Sequence, residues 1–275
     1  QVRGKEVCRR PKEILEEIRA LVARGTQEVT LLGQTVNTYE GFAELLHMIE
    51  KETNVARIRF ISPHPKDVKE DLVREFAENK KLCSHIHLPV QSGADPILRK
   101  MKRAYSRKQY LEKVRLLRNA RPDIAITTDI IVGFPGETHE NFEETVSLLD
   151  EVQYDNIFAF KYSPRRGTEA WEMEDDTPQE EKEARLDLLL QKQRVISKKI
   201  NNTLQGKTVE VLVEGEDRLR RGLLSGRTGT NKIVNFTSPQ PCIGDIVGVE
   251  VVKTFSNSLE GKYAGKNALG GNEGD

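Results

Sequence analysis

Five short segments of the 275-residue chain gather glycine or proline with amides, hydroxyls, imidazoles and guanidinium groups. In chain order they are Gly33-Gln34-Thr35-Val36-Asn37-Thr38-Tyr39, Ser62-Pro63-His64-Pro65, His87-Leu88-Pro89-Val90-Gln91-Ser92-Gly93, Gly133-Phe134-Pro135-Gly136-Glu137-Thr138 and Tyr162-Ser163-Pro164-Arg165-Arg166-Gly167-Thr168. Gln34 and Asn37 carry amides that both donate and accept hydrogen bonds. Gln91 and Ser92, next to Gly93, suit ribose hydroxyls or a carboxylate. Gly133 and Gly136 bound a turn that can expose backbone groups to an adenine edge, with Phe134 either a stacking surface or core. His64 has the chemistry of a base or a ligand, although an isolated histidine usually has a structural role. Each segment alone also fits an ordinary loop. The first could simply cap a helix, and the basic run Arg99-Lys100-Met101-Lys102-Arg103 reads as a solvated helix end.

The elements between these segments explain why they belong together. Pro11 starts a helix whose apolar face is Ile14, Leu15, Ile18, Leu21 and Val22, stopped by Gly25. A short strand over 28–32 precedes the first polar segment. A helix through Phe42, Leu45, Leu46 and Ile49 leads to a strand over 57–61 and the second segment. The alternation continues with a helix over about 67–78, a strand over 85–88 and a helix over 110–119. A strand over 124–132, a helix over 142–152 and a strand over 156–160 complete it. Strands alternating with helices imply right-handed βαβ units and a parallel sheet. About five strands make a partial, TIM-like barrel. A complete eight-stranded barrel needs about 250 residues. In such sheets active sites lie at the carboxyl ends of the strands, and each of the five segments follows a strand. Five polar loops at one end of one sheet form a pocket.

A long charged helix over about 177–204 then separates this region from a small all-β module. The module reads as strands over 208–213, 219–224, 233–236 and 246–252, with alternation visible at Val209, Val211 and Val213. The expected organisation is therefore a barrel core over 1–204, a β-module over 205–263 and a Gly-rich, disordered tail over 264–275.

Bulk composition excludes several classes. Lysine plus arginine and aspartate plus glutamate both number 43, so any nucleic-acid surface must be local. No apolar run reaches the roughly 18 residues of a membrane span, and the polar start Gln1-Val2-Arg3-Gly4-Lys5-Glu6 is no signal peptide. Absence of an initiator methionine suggests a fragment. Cys8, Cys83 and Cys242 are far apart, which fits reduced thiols in a cytosolic protein and offers no metal-ligand spacing.

Taken in order, Arg3-Gly4-Lys5-Glu6, LLGQTVNTY at 31–39, SPHP at 62–65, HLPVQSG at 87–93, DIIVGFPGET at 129–138 and YSPRRGT at 162–168 resemble the radical S-adenosylmethionine (SAM) methylthiotransferase family. The resemblance covers residues 1 to about 263, and the β-module resembles a TRAM RNA-binding domain. LLGQTVNTY and HLPVQSG look most like the MiaB-type branch, which acts on tRNA. They look less like the branches acting on a ribosomal-protein aspartate or on threonylcarbamoyladenosine. The resemblance implies an α/β radical SAM partial barrel and two [4Fe–4S] clusters, one of them auxiliary. It implies methylthiolation of C2 of an N6-isopentenyladenosine next to the anticodon, with an electron donor such as flavodoxin or ferredoxin. It places SAM contacts at Gln34, Asn37, Gln91, Ser92, Asp129, Ile131, Gly133, Phe134 and Tyr162. A CxxxCxxC motif would lie upstream of Gln1, so no cluster ligand is expected here and the chain alone is expected to be inactive. Cys8 stands where relatives usually have serine and is not taken as a ligand. A monomeric cytoplasmic protein is expected.

In the β-module Arg218, Arg220, Arg221, Arg227 and Lys232 are candidate RNA contacts, since basic groups hold phosphates and aromatics stack on bases. Phe236 and Phe255 are candidate stackers, although strand core is the commoner role. A non-catalytic RNA-binding protein built from the same two parts is the competing reading.

Overall fold

Local sequence starts and stops each element of the structure, a computed structural model that describes residues 7–217, 220–240 and 242–266. Pro11 sits in the first turn of α1 (Pro11–Val22), where a backbone N–H has no helical partner anyway. The chain continues through β1 (Glu28–Leu31), α2 (Phe42–Glu52), β2 (Arg57–Phe60), α3 (Glu70–Glu78), β3 (His85–His87) and α4 (Asp95–Lys100). It proceeds to α5 (Arg107–Ala120), β4 (Ala125–Val132), α6 (His139–Val152), β5 (Asn156–Lys161) and α7 (Gln179–Asn202). Reciprocal capping boxes open α5, with Ser106 and Gln109, and α6, with Thr138 and Asn141.

All five strands are parallel and adjacent in sequence order. β1 pairs with β2, β3 with β4 and β4 with β5, and a bridge between Ile58 and Leu82 joins the two groups. The result is a half-barrel whose outer edges, β1 and β5, pair with no further strand among the described residues. Alternate residues of β4 divide its two faces. Ile126, Ile130 and Val132 are fully buried in a core shared with Leu46, Ile49, Phe60, Phe76, Leu117 and Leu149. The opposite face carries Thr127, Asp129 and Ile131, in register with Asn156, Phe158 and Phe160 of β5 and, through Thr127, with His87 of β3. That second face lines the hollow of the half-barrel.

The remaining strands, β6 (Thr208–Glu216), β7 (Leu224–Thr228), β8 (Ile233–Thr237), β9 (Ile246–Thr254) and β10 (Leu259–Gly265), close into a small barrel in the order β10-β8-β7-β6-β9. Val211, Val213, Val234, Phe236, Val247, Val249, Val251 and Leu259 fill it.

This small barrel docks on the amino-terminal end of the half-barrel. Arg57 donates to the carbonyls of Arg227 (3.0 Å) and Glu210 (3.2 Å), and Arg59 to that of Thr228 (3.2 Å). Lys232 pairs with Asp155 at 2.6 Å. From α7, Asn201 donates to the carbonyls of Phe255 (2.8 Å) and Ser256 (3.1 Å).

Several borders differ from the sequence reading. The strand expected over 219–224 lies instead at Leu224–Thr228, because the chain first turns through Gly222. β10 closes the barrel but gives no sequence signal, since Gly261 and Gly265 interrupt its alternation. α4 is a helix of which the sequence marks only the basic end, and its last turn contains Arg99 and Lys100. α3 starts at Glu70 because Pro65–Asp67 forms a separate 3-10 turn. Of the tail expected to be disordered, Gly265 still belongs to β10 and 267–275 lie outside the described residues. Arg3-Gly4-Lys5-Glu6 and Arg218 also lie outside them.

Candidate active site

Hydrogen bonds and ring contacts join the five carboxyl-end loops into one rim. The Asn37 side chain donates to the His64 carbonyl (3.0 Å) and accepts the His64 N–H (2.8 Å), while Val36 N–H donates to Ser62 (3.2 Å). These bonds tie the loop after β1 to the loop after β2. The ring of His64 meets Tyr105 edge-on at 5.6 Å, and the Tyr105 hydroxyl reaches the carbonyls of Pro89 (3.0 Å) and Val90 (3.1 Å) in the loop after β3. Gln91, at φ 72°, donates its N–H to Asp129 and accepts from Ile131, both at 2.9 Å, which attaches that loop to β4. Phe134, after β4, packs on Tyr162, after β5, with ring centroids 5.0 Å apart.

Below the rim a polar chain descends the hollow. Asp129 Oδ1 lies 3.3 Å from His87 Nε2, His87 Nδ1 lies 3.0 Å from Thr127 Oγ1, and that hydroxyl lies 3.2 Å from His85 Nε2. The Asp129 carboxylate is 30% exposed and faces the open hollow. Burial, reinforced by the Arg59 charge, pushes His85 down to about 3, so it stays neutral near neutrality. Phe158 meets the His87 ring edge-on at 5.8 Å. Deeper still, Arg59 forks onto Glu28 at 3.1 and 3.2 Å, close to Cys83.

The residues singled out from sequence divide by what their side chains do here. Gln34 and Gln91 have side-chain amides without a hydrogen-bond partner among the described residues, and Gln34 is exposed. Asp129 and Ile131 face the hollow. Asn37 and Ser92 are buried, and their polar atoms are occupied. Ser92 Oγ lies 3.3 Å from Thr145 Oγ1 and accepts the Ala94 N–H at 3.2 Å. Beside it Gly93 must be glycine, because a Cβ would lie 2.6 Å from the α6 backbone. Gly133, at φ 66°, donates its N–H to Glu137 Oε2 (2.6 Å), and a Cβ there would overlap the Lys182 stem. Glu137 is buried, which pushes its carboxyl up, while the Gly133 N–H and Arg185 at 2.7 Å act the other way. Phe134 is buried, and the Tyr162 hydroxyl donates to Ala170 (2.7 Å). In Asn37, Ser92, Gly133, Phe134 and Tyr162 the groups named here are engaged by contacts within the rim. His64 likewise is a loop residue, with Nδ1 accepting the Lys66 N–H at 3.3 Å. Missed in the sequence were the His87–Asp129 pair and the exposed Phe158 and Phe160. The period-two spacing of His85 and His87, and of Phe158 and Phe160, carried the signal.

Two groups are implied by the motifs. SAM fits: the 30% exposed Asp129 carboxylate suits its cationic and hydroxyl groups, and unpartnered amides lie in the same rim. An iron–sulfur cluster does not. No set of three or more His, Cys, Asp or Glu among the described residues could hold a metal. Burial also pushes the Cys83 thiol up to about 11, far from the thiolate that metals bind.

On the small barrel, Arg220 is paired with Asp217 and Glu260, and Arg227 with Glu214 at 3.2 Å. Lys232 is held by Asp155, and Arg221 is exposed. Phe236 is core, whereas Phe255 is partly exposed and has the Lys253 ammonium 5.0 Å from its ring centre. No helix among the described residues is long and apolar enough to cross a membrane.

Comparison with known proteins agrees with this architecture. Residues 202–264 match the TRAM domain and cover the small closed barrel up to, but not including, the last residue of β10. The chain is 48% identical over 270 residues to the tRNA-2-methylthio-N(6)-dimethylallyladenosine synthase of Syntrophus aciditrophicus, covering 95% of this chain and 58% of that protein. It is 47% identical over 268 residues to the enzyme of the same name from Clostridium tetani, covering 95% and 59%. The chain thus spans about three-fifths of the length of these curated relatives. Among solved structures, coproporphyrinogen III oxidase from Escherichia coli shares the fold, with a TM-score of 0.52 at 15% identity over 93% of this chain and 66% of that one. With residues 1–149 matching the Radical SAM superfamily, and a parallel half-barrel whose loops meet at the carboxyl rim, the chain belongs to the radical SAM superfamily and carries a TRAM domain.

Proposed function

We propose that this chain is the SAM-binding half-barrel and RNA-binding barrel of a tRNA methylthiotransferase. Its reaction replaces the C2 hydrogen of an N6-dimethylallyladenosine with a methylthio group. The observation that carries this reading is the joined rim of five loops above the Asp129–His87 pair, on a chain almost half identical to enzymes of that name. One SAM molecule would supply the hydrogen-abstracting radical on one-electron reduction, a second SAM the methyl group, and the auxiliary cluster of the intact enzyme the sulfur.

The chain's own residues bind and orient. Gln34 and Gln91 offer amides to the polar end of SAM, Asp129 accepts from its hydroxyl or ammonium groups, and Ile131 packs against it. His87 keeps the Asp129 carboxylate aimed into the hollow. Asn37, Ser92, Gly133, Phe134 and Tyr162 act from behind by fixing the loops. Arg220, Arg221 and Arg227, with Lys253 and Phe255, offer phosphate contacts and one stacking ring on the small barrel. Clusters bound by residues of the intact enzyme outside this chain, a small one-electron donor such as flavodoxin or ferredoxin, a monomeric state and a cytoplasmic site belong to the same reading. So does a division of the chain near residue 204.

Nucleoside mass spectrometry tests it. Intact, reduced enzyme carrying this chain is incubated with SAM and tRNA bearing N6-dimethylallyladenosine. The 2-methylthio nucleoside is the expected product. Modification of a ribosomal-protein aspartate or of threonylcarbamoyladenosine, with the prenylated tRNA left unchanged, would refute it.

A further inference from the structure

The hollow of the half-barrel contains an apolar wall that the proposed SAM contacts leave free. Phe158 and Phe160 point into it from alternate positions of β5, and they are 49% and 54% exposed. Ile131 lies beside Phe160, and Asp129 beside Phe158, in the β4–β5 register. A lone exposed phenylalanine needs no explanation, but two in one concave site do. Positions two apart on a strand are separated by roughly 7 Å. The paired rings therefore offer an apolar strip as long as a short branched hydrocarbon. At one end of this strip stands a carboxylate–imidazole pair, Asp129 and His87. An apolar strip that begins beside the proposed SAM contact at Asp129 suits the small hydrocarbon arm of a substrate held next to the cofactor.

We propose that Phe158 and Phe160 receive the N6-dimethylallyl group of the substrate adenosine and make prenylation a condition of tight binding. The inference rests on the reading of the site given above and deepens it to the residues that select the substrate. No covalent step involves the wall. It acts by removing the branched alkenyl group from water, and an unmodified adenosine leaves both rings exposed.

Two anticodon stem-loop RNAs that differ only in the dimethylallyl group test this by equilibrium binding to the intact enzyme. The wild type should bind the prenylated RNA at least tenfold more tightly. A single methylene in an apolar pocket already discriminates by about 10–200-fold. Phe158→Ala/Phe160→Ala should bring the ratio close to one by weakening only the prenylated RNA, with SAM affinity unchanged. Phe160→Leu, which keeps an apolar side chain of similar size, should retain most of the preference and guards against a variant that fails to fold. A wild-type ratio of one, or a ratio unchanged in the double alanine variant, overturns the proposal. So does a variant that loses SAM affinity but keeps its RNA preference, because the wall then faces the cofactor. In those cases the enzyme still methylthiolates tRNA. An enzyme that neither binds nor modifies tRNA would instead remove the functional reading on which the wall depends.

Discussion

His85 is neutral in the folded chain because it lies buried among cations. Arg59 stands nearby and Lys232 and Arg227 approach from the small barrel, while its Nδ1 has no partner among the described residues. Its folded value near 3 lies below the ordinary histidine value of 6.5, so the unfolded chain binds the proton first. The associated stability is present above pH 6.5 and is lost as pH falls from there toward 3. The loss approaches about 1.4 kcal/mol per pH unit at most. In urea titrations the wild type should lose stability between pH 6.5 and 4.5, and His85→Asn should flatten that slope. An equal slope in the variant would assign the acid sensitivity to other groups. The same residues show why the site was only partly legible in the sequence. Polar types in the five segments were visible, but their division into facing and supporting residues was not. Asn37 and Gln91 are both amides in Gly-marked loops. Only tertiary hydrogen bonds occupy the first and leave the second without a partner.

Among the elements, parallel strands, their order and most helices followed from apolar periodicity, because buried faces impose it. β10 did not, since two glycines replace the branched side chains that mark a strand. Contacts between the two barrels were equally hidden. Arg57 and Arg59 read as ordinary charged residues of a strand, yet both are buried and hold carbonyl groups of the small barrel. Arg57→Met should leave the Arg227 and Glu210 carbonyls without their donor, at a cost of about 1–3 kcal/mol. Differential scanning calorimetry should then show a lowered midpoint and a broader transition, since contacts between the barrels couple their unfolding. A single transition with an unchanged midpoint would mean that the remaining contacts, from Arg59, Lys232 with Asp155 and Asn201, couple the barrels without Arg57.

At the scale of the whole molecule the two barrels have opposite assignments: an open hollow at one end for a nucleoside-bearing cofactor, and a closed barrel at the other for RNA. SAM binding at the carboxyl rim of the half-barrel is what the proposed function requires. It is measured by isothermal titration of SAM into the intact enzyme and its Gln91→Ala and Asp129→Asn variants. Affinity should be at least tenfold weaker in each variant, with the small-barrel substitution Arg221→Ala leaving it unchanged. Wild-type SAM affinity in both rim variants would refute SAM binding at this rim.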